Sequence, residues 1–198
     1  MSRLILASGS AARAQLLTNA GVTFAVQPAD VDEAAIRQTV AADQMPPADV
    51  AGLLADVKAT TVSADVGDVP VIGADQILFL GERIFTKPAN RDDAIETLLA
   101  LAGQTHTLAS AVSVAVGGEV TWRHVGLAHL TMRSLTPPEI GRYLSAAGPS
   151  VHASVGAYQL EALGVQLFER IDGDYFTILG LPLLALLAHL RAAHGLEM

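Results

Sequence analysis

With 198 residues the chain is long enough for one large domain or two small lobes around an ample core. A formal net charge of −8 excludes a general nucleic-acid binder, whose footprint would be basic, and zero cysteines exclude a disulfide framework and thiol chemistry. An acidic chain can still bind phosphates if its few cations converge, and with only 12 lysines and arginines their positions are informative.

In chain order, Arg3 to Ala7 reads as a short strand and Ser8-Gly9-Ser10 as a turn. Ala11 to Asn19 follows as a helix with Leu16 and Leu17 on its buried side, closed by Ala20-Gly21. Val22 to Gln27 is a second strand leading to Asp30-Val31-Asp32-Glu33, where a helix begins that frays at Met45-Pro46-Pro47. A longer helix from about Ala48 to Ser63 carries Lys58. The run Pro70-Val71-Ile72-Gly73-Ala74-Asp75 is expected to be a buried strand that delivers Asp75 to the carboxyl edge of the sheet, where open α/β sheets bind ligands.

A partner strand is expected around Ile77 to Phe79, then a Gly81-Glu82 turn, with Lys87 held on extended chain by Pro88. Arg91 to Leu101 is helical. Thr105 to Val116 and Glu119 to Arg133 form a hairpin at Gly117-Gly118. Thr136-Pro137-Pro138-Glu139 opens another helix, Gly148 to Gly156 is a loop, Val165 to Glu169 a strand, and Leu181 to Ala193 a final helix. Strands alternating with helices, plus one long hairpin, predict an α/β fold with a mixed, twisted sheet flanked by helices. The most apolar stretch, Ile178 to Leu190, is interrupted by Pro182 and too short to span a bilayer. The N-terminal residues lack the pattern of an export signal, so a cytoplasmic location and no membrane partner are expected.

Four constellations can carry chemistry. Ser8, Ser10 and Arg13 surround a strand–turn–helix N-terminus, whose free N–H groups suit an anion; the alternative is that Ser10 simply caps the helix. No acid occupies that first turn, and Arg13 stands there instead, which the helix dipole disfavours unless an anion also binds. Asp30, Asp32 and Glu33 either cap a helix or place Glu33 with Asp75 around Mg²⁺ or Mn²⁺, hard cations that prefer oxygen ligands. Lys58 is either a snorkelling surface residue or turned towards the Ser8–Arg13 loop. Gly156 to Glu161 offers small and polar residues to a base or ribose, although Tyr158 suits a core equally. His189 and His194, five apart, do not share one helical ligand face, and His106 between two threonines reads as structural.

Together these pieces resemble the Maf family of nucleoside-triphosphate pyrophosphatases, some of whose members are linked to septum formation. The resemblance spans nearly the whole chain as a single domain, 1–198. It rests on Leu6-Ala7-Ser8-Gly9-Ser10 with Arg13, on Val31-Asp32-Glu33, Lys58-Ala59, Ile72-Gly73-Ala74-Asp75 and Lys87-Pro88, and on Ala102-Gly103-Gln104-Thr105-His106, Gly156-Ala157-Tyr158 and Gly180-Leu181-Pro182-Leu183.

The resemblance implies metal-dependent cleavage between the α and β phosphates, a two-lobed fold around a cleft and, often, a homodimer. It also implies that Ser8, Ser10 and Arg13 hold phosphates, that Glu33 and Asp75 bind the metal or activate water, and that Lys58 and Lys87 neutralise phosphate charge. Departures are Ala11-Ala12 in place of Pro-Arg, which removes one arginine, and Ser154-Val155 where a lysine is usual. Gln76, Glu161 and Leu167-Phe168-Glu169-Arg170 look like the subfamily acting on 7-methyl-GTP, rather than the one acting on dTTP and UTP. A carboxylate at Glu161 can accept hydrogen bonds from guanine N1–H and the amino group. The alternatives are a dTTP, UTP or CTP pyrophosphatase of the same family, or a catalytically weak nucleotide-binding regulator.

Overall fold

The computed structural model describes residues 4–42 and 44–196; Arg3, expected to open the first strand, lies outside the described residues. The strands are β1 (Leu4–Leu6), β2 (Phe24–Val26), β3 (Val71–Leu80), β4 (Arg83–Phe85), β5 (Thr105–Val116), β6 (Glu119–Met132) and β7 (Phe168–Asp172). The helices are α1 (Ala11–Asn19), α2 (Glu33–Ala42), α3 (Pro47–Val66), α4 (Arg91–Leu101), α5 (Pro137–Ala147), α6 (Tyr175–Ile178) and α7 (Leu183–His194). The sheet runs in the order β2-β1-β3-β5-β6-β7, with β4 also on β3. β1 is parallel to β2 and β3, whereas β4 on β3 and β7 on β6 are antiparallel, so the sheet is mixed as expected. Among the described residues no helix is long and apolar enough to cross a membrane.

The chain divides into two compact units: Met1–Gln76, Ala109–Gly126 and Asp174–Met198 in the first, Ile77–Leu108 and Leu127–Gly173 in the second. In the first, Leu4 and Leu6 of β1 and Ile72 and Ala74 of β3 pack with Leu16 and Leu17 of α1 and Leu183, Leu186 and Leu190 of α7. Ile5, Ala7 and Val71 point the other way, onto Val62 of α3. Strands covered on both faces lose polar alternation, which is why these two read as continuous apolar runs. Each fully buried leucine contributes roughly 2 kcal/mol of hydrophobic stabilisation. Strand alternation then puts Gly73 and Asp75 on the Val71 face, towards α3. α3 answers with Ala51, Leu54, Ala55, Lys58, Ala59 and Val62, all buried and spaced by three and four.

Gly73 sets the distance between these two elements. A Cβ there would lie inside the contact radius of the Ala55 carbonyl oxygen, 2.6 Å from Ala59 N and 2.8 Å from Ala59 Cβ. Only glycine lets the helix backbone approach the strand this closely.

Three expectations are corrected. Asp75 does not end its strand, and Ile77 to Phe79 is not a separate one, because β3 continues to Leu80 and pairs with β4 across the Gly81 turn, where φ is +60°. The polar pair Asp75-Gln76 sits mid-strand because distant side chains and carbonyls bond to it. Parallel pairing with β1 nevertheless ends at Leu6↔Ile72, so Asp75 still lies beyond the end of that neighbour. Second, Leu163–Leu167 is a 3-10 turn and β7 starts only at Phe168, since Gly164 packs directly on the backbone of Gln159. Third, the stretch between the last expected strand and the last expected helix is not without an element, since α6 occupies it; Asp174 caps it by accepting from Thr177 N at 2.8 Å and Thr177 Oγ1 at 2.9 Å.

In the second unit Thr136 and Glu139 form the expected capping box at α5. Its aromatic cluster joins His106, Tyr158 and Phe168: Tyr158 meets Phe168 edge-on, and its hydroxyl lies 2.8 Å from His106 Nε2. Tyr158 is therefore a core residue, not a base platform, and His106 is structural.

Burial pushes the His106 pKa down from 6.5 to about 4. The unfolded chain thus takes up a proton that the folded one refuses between these values. Stability is full above pH 6.5 and falls as the pH drops towards 4, by on the order of 3 kcal/mol at most. His106→Gln is expected to lose this component: urea unfolding from pH 7 to pH 4 should show a shallower decline than wild type. Parallel profiles would show that His106 does not titrate this way.

Candidate active site

The first unit assembles a charged cluster from four elements. The β1–α1 turn supplies Ser8 and Ser10. Ser10 caps α1, its Oγ accepting from Arg13 N at 3.4 Å, so the capping reading accounts for its oxygen. Arg13 turns inward and is buried. Its Nε donates to Gly180 O at 2.7 Å, and Nη1 donates to Ser8 Oγ at 3.1 Å and Ala74 O at 3.0 Å. Ser8 Oγ also accepts from Ser10 N at 3.3 Å. With its oxygen accepting twice, Ser8 keeps its hydroxyl proton for an incoming acceptor. Burial lowers the Arg13 pKa, while the nearby charges of Asp75 and then Glu33 raise it. Arginine stays cationic under such pressure, and a desolvated guanidinium held this rigidly is a strong anion partner.

Lys58 reaches the acids instead of the Ser8–Arg13 loop. Its Nζ lies 2.6 Å from Asp75 Oδ1 and 2.7 Å from Glu33 Oε1. The Lys58 and Asp75 side chains are only 10% and 6% exposed, whereas Glu33 is 40% exposed. Asp32 caps α2 through Ala35 N at 3.0 Å, which leaves Glu33 as the acid turned towards Lys58. Arg37, one turn after Glu33, closes the cluster: its Nη2 is 3.0 Å from Glu33 Oε2 and 3.8 Å from Asp75 Oδ2. Asp75 Oδ2 is buried and has no hydrogen-bond partner among the described residues.

An orphaned carboxylate oxygen beside a second carboxylate fits a hard dication. Mg²⁺ and Mn²⁺ are commonly held by one or two carboxylates, with water and substrate phosphates completing the shell. No group of three or more histidines or acids suited to a metal occurs among the described residues.

Gln76 follows Asp75 on β3. Its Nε2 donates to Ser110 Oγ at 2.9 Å, Thr177 O at 3.2 Å and Ile178 O at 3.0 Å, while Ser110 Oγ donates to Thr177 O at 2.7 Å. The amide nitrogen is thus committed inward, and the group Gln76 can offer a ligand is its oxygen. The carbonyls of Thr177, Ile178 and Gly180 belong to one turn, so Gln76 and Arg13 fasten the same segment from two sides.

A family model described as Maf-like protein matches residues 3–193. The chain belongs to the Maf family. It is 51% identical over 195 residues to the 7-methyl-GTP pyrophosphatase of Mesorhizobium japonicum, covering 98% of each chain. It is 54% identical over 191 residues to the nucleoside triphosphate pyrophosphatase of Bradyrhizobium diazoefficiens, covering 96% of this chain and 94% of the relative. A 7-methyl-GTP pyrophosphatase of Rhizobium meliloti is 50% identical over 194 residues, with 98% of both chains covered.

Of the residues read as the site of a Maf protein, the structure brings together Ser8, Ser10, Arg13, Glu33, Lys58, Asp75 and Gln76 in the first unit. Lys87, exposed between β4 and α4, and Glu161, exposed before the Leu163–Leu167 turn, belong to the second unit. Their roles rest on the Maf resemblance alone. Sequence reasoning missed Arg37 and Ser110. The i,i+4 pair Glu33–Arg37 on a predicted helix was an available signal for the first, and nothing local marks the second.

Proposed function

We propose that this chain hydrolyses a nucleoside triphosphate between the α and β phosphates, giving the monophosphate and pyrophosphate, with 7-methyl-GTP as its preferred substrate. The observation that carries the reading is the buried Asp75 carboxylate, with one oxygen on Lys58 and the other unbonded, next to Glu33 and the Ser8–Arg13 anion pocket. The names of the close relatives support the same chemistry.

In this account Arg13 and the Ser8 hydroxyl bind and orient phosphate oxygens. Asp75 Oδ2 takes a proton from the attacking water, as a general base within hydrogen-bond reach of it. Water oxygen bonds to the α phosphorus as its bond to the bridging oxygen breaks, and pyrophosphate leaves with that oxygen. Lys58 stabilises the charge that develops. A Mg²⁺ or Mn²⁺ ion held by Glu33 and Asp75 would neutralise phosphate charge and draw the substrate to the carboxylates. Gln76 Oε1 is an acceptor suited to guanine N1–H or the amino group, and Glu161 has the same chemistry. A cytoplasmic location, expected from the sequence, and a homodimer, implied by the resemblance, belong to the same proposal.

The test is pyrophosphate release from 7-methyl-GTP, dTTP, UTP, CTP and ITP with Mg²⁺ or Mn²⁺. The expected order puts 7-methyl-GTP first by kcat/KM. A pyrimidine in first place would keep the reaction and overturn the substrate assignment. Silence on all five would favour the nucleotide-binding regulator.

A further inference from the structure

Arg37 stands where the dication is needed. Lys58 takes one oxygen of each carboxylate, Glu33 Oε1 at 2.7 Å and Asp75 Oδ1 at 2.6 Å. Arg37 Nη2 faces the other two, Glu33 Oε2 at 3.0 Å and Asp75 Oδ2 at 3.8 Å. The two acids and two cations therefore alternate around a ring. The bonding in it is uneven: Lys58 bonds both acids closely, whereas Arg37 bonds Glu33 and stops short of a hydrogen bond to Asp75.

Arg37 Nε is buried without a partner among the described residues, and so is Asp75 Oδ2. A guanidinium with a buried, unbonded N–H, set over a carboxylate oxygen that it does not reach, occupies this position at a cost. A dication held by Glu33 and Asp75 would meet the positive charge of Arg37 close by, so the two would compete for the same pair of carboxylates.

From this arrangement we propose that Arg37 is a displaceable internal counter-ion that competes with the divalent cation for the Glu33–Asp75 pair. It rests on the reading of that pair as the metal site. Arg37 keeps the carboxylates neutralised before substrate arrives and holds the affinity for free dication low. An incoming polyphosphate offers the guanidinium a better anion, with which it can make paired hydrogen bonds. Nucleotide draws Arg37 off the carboxylates, and nucleotide and dication then bind with positive coupling, each raising the affinity for the other by the same factor.

The experiment is Mn²⁺ titration of the whole chain, by calorimetry or by the electron-spin resonance of free Mn²⁺, without nucleotide and with a non-hydrolysable α,β-methylene nucleoside triphosphate. Arg37→Met is expected to bind Mn²⁺ at least about ten-fold more tightly than wild type without nucleotide, the effect of removing one like charge at this range. The gap should shrink once the analogue is bound. Arg37→Lys retains the charge and should stay near wild type, which separates competition from a general disturbance of α2. Mn²⁺ binding that depends on Asp75 but is equal or weaker in Arg37→Met overturns the competition and leaves the metal site standing. No Mn²⁺ binding by wild type or Arg37→Met, with or without the analogue, overturns the metal site and the competition with it.

Discussion

Replacing Asp75 with asparagine lowers kcat for the nucleotide by about 10²- to 10⁴-fold, the range for loss of a positioned general base. The substitution is nearly isosteric and removes the proton acceptor and one of the two carboxylates. The fold should survive it. Lys58, the cation that would otherwise be stranded, still has Glu33 Oε1 at 2.7 Å, and Glu33 is partly exposed to water. Arg13 remains fastened to Ser8, Ala74 and Gly180, so phosphate binding should change far less than turnover. Steady-state pyrophosphate release, with kcat and KM separated and a thermal melt on the same sample, checks all three expectations. A variant that keeps a tenth of wild-type turnover would remove Asp75 from the chemistry.

Replacing Gly73 with alanine should damage both stability and activity. The new methyl would collide with the main chain of α3 at Ala55 and Ala59, which cannot swing aside as a flexible side chain would. Overpacking of this kind costs about 1–3 kcal/mol, more where backbone must move. For a chain of this length that corresponds to a melting temperature lower by roughly 2–12 °C. The helix that is pushed away carries Lys58, so relief of the clash moves Nζ from its 2.6 Å contact with Asp75. A displacement of about 1 Å in such a constellation can cost 10²-fold in rate. Gly52→Ala, on the same helix with only an ordinary 3.9 Å contact to Val125, is the control. It should be neutral or stabilising, since alanine favours a helix interior by about 1 kcal/mol. Melting curves and turnover measured well below the transition separate the two effects, and equal behaviour of the two variants would refute the role given to Gly73.

Much of this was written locally in the chain. The β1–α1 unit follows from an apolar run, a Ser-Gly-Ser turn and the Leu16-Leu17 pair, and the β5–β6 hairpin from Gly117-Gly118. What escaped reading depends on partners far away in sequence. Asp75-Gln76 looks like the end of a strand because polar residues seldom occupy a buried one. Lys58, Ser110 and the carbonyls of Thr177 and Ile178 make that place tolerable, and none of them is near in the chain.

The same holds for Lys58 itself. Helical spacing puts it on the stripe with Ala55, Ala59 and Val62, but a lysine on an apolar stripe ordinarily snorkels to water. Only the close seat of α3 on Gly73, and the acid waiting on the same face of β3, turn it inward. Arg37 was legible as the i+4 partner of Glu33, yet its approach to Asp75 was not. Tyr158 shows the reverse case. Its motif left a ligand role and a core role equally open, and packing against Phe168 and His106 settles it in the core.

The Glu33–Asp75–Lys58 cluster is proposed to direct water to the α phosphorus with the help of a divalent cation. The most direct measurement is separation of the products formed from 7-methyl-GTP with Mg²⁺ and again with EDTA in excess. The expected products are 7-methyl-GMP and pyrophosphate in equal amounts with the metal, and neither with the chelator. The appearance of 7-methyl-GDP with orthophosphate, or the same products at an undiminished rate in EDTA, would contradict this assignment.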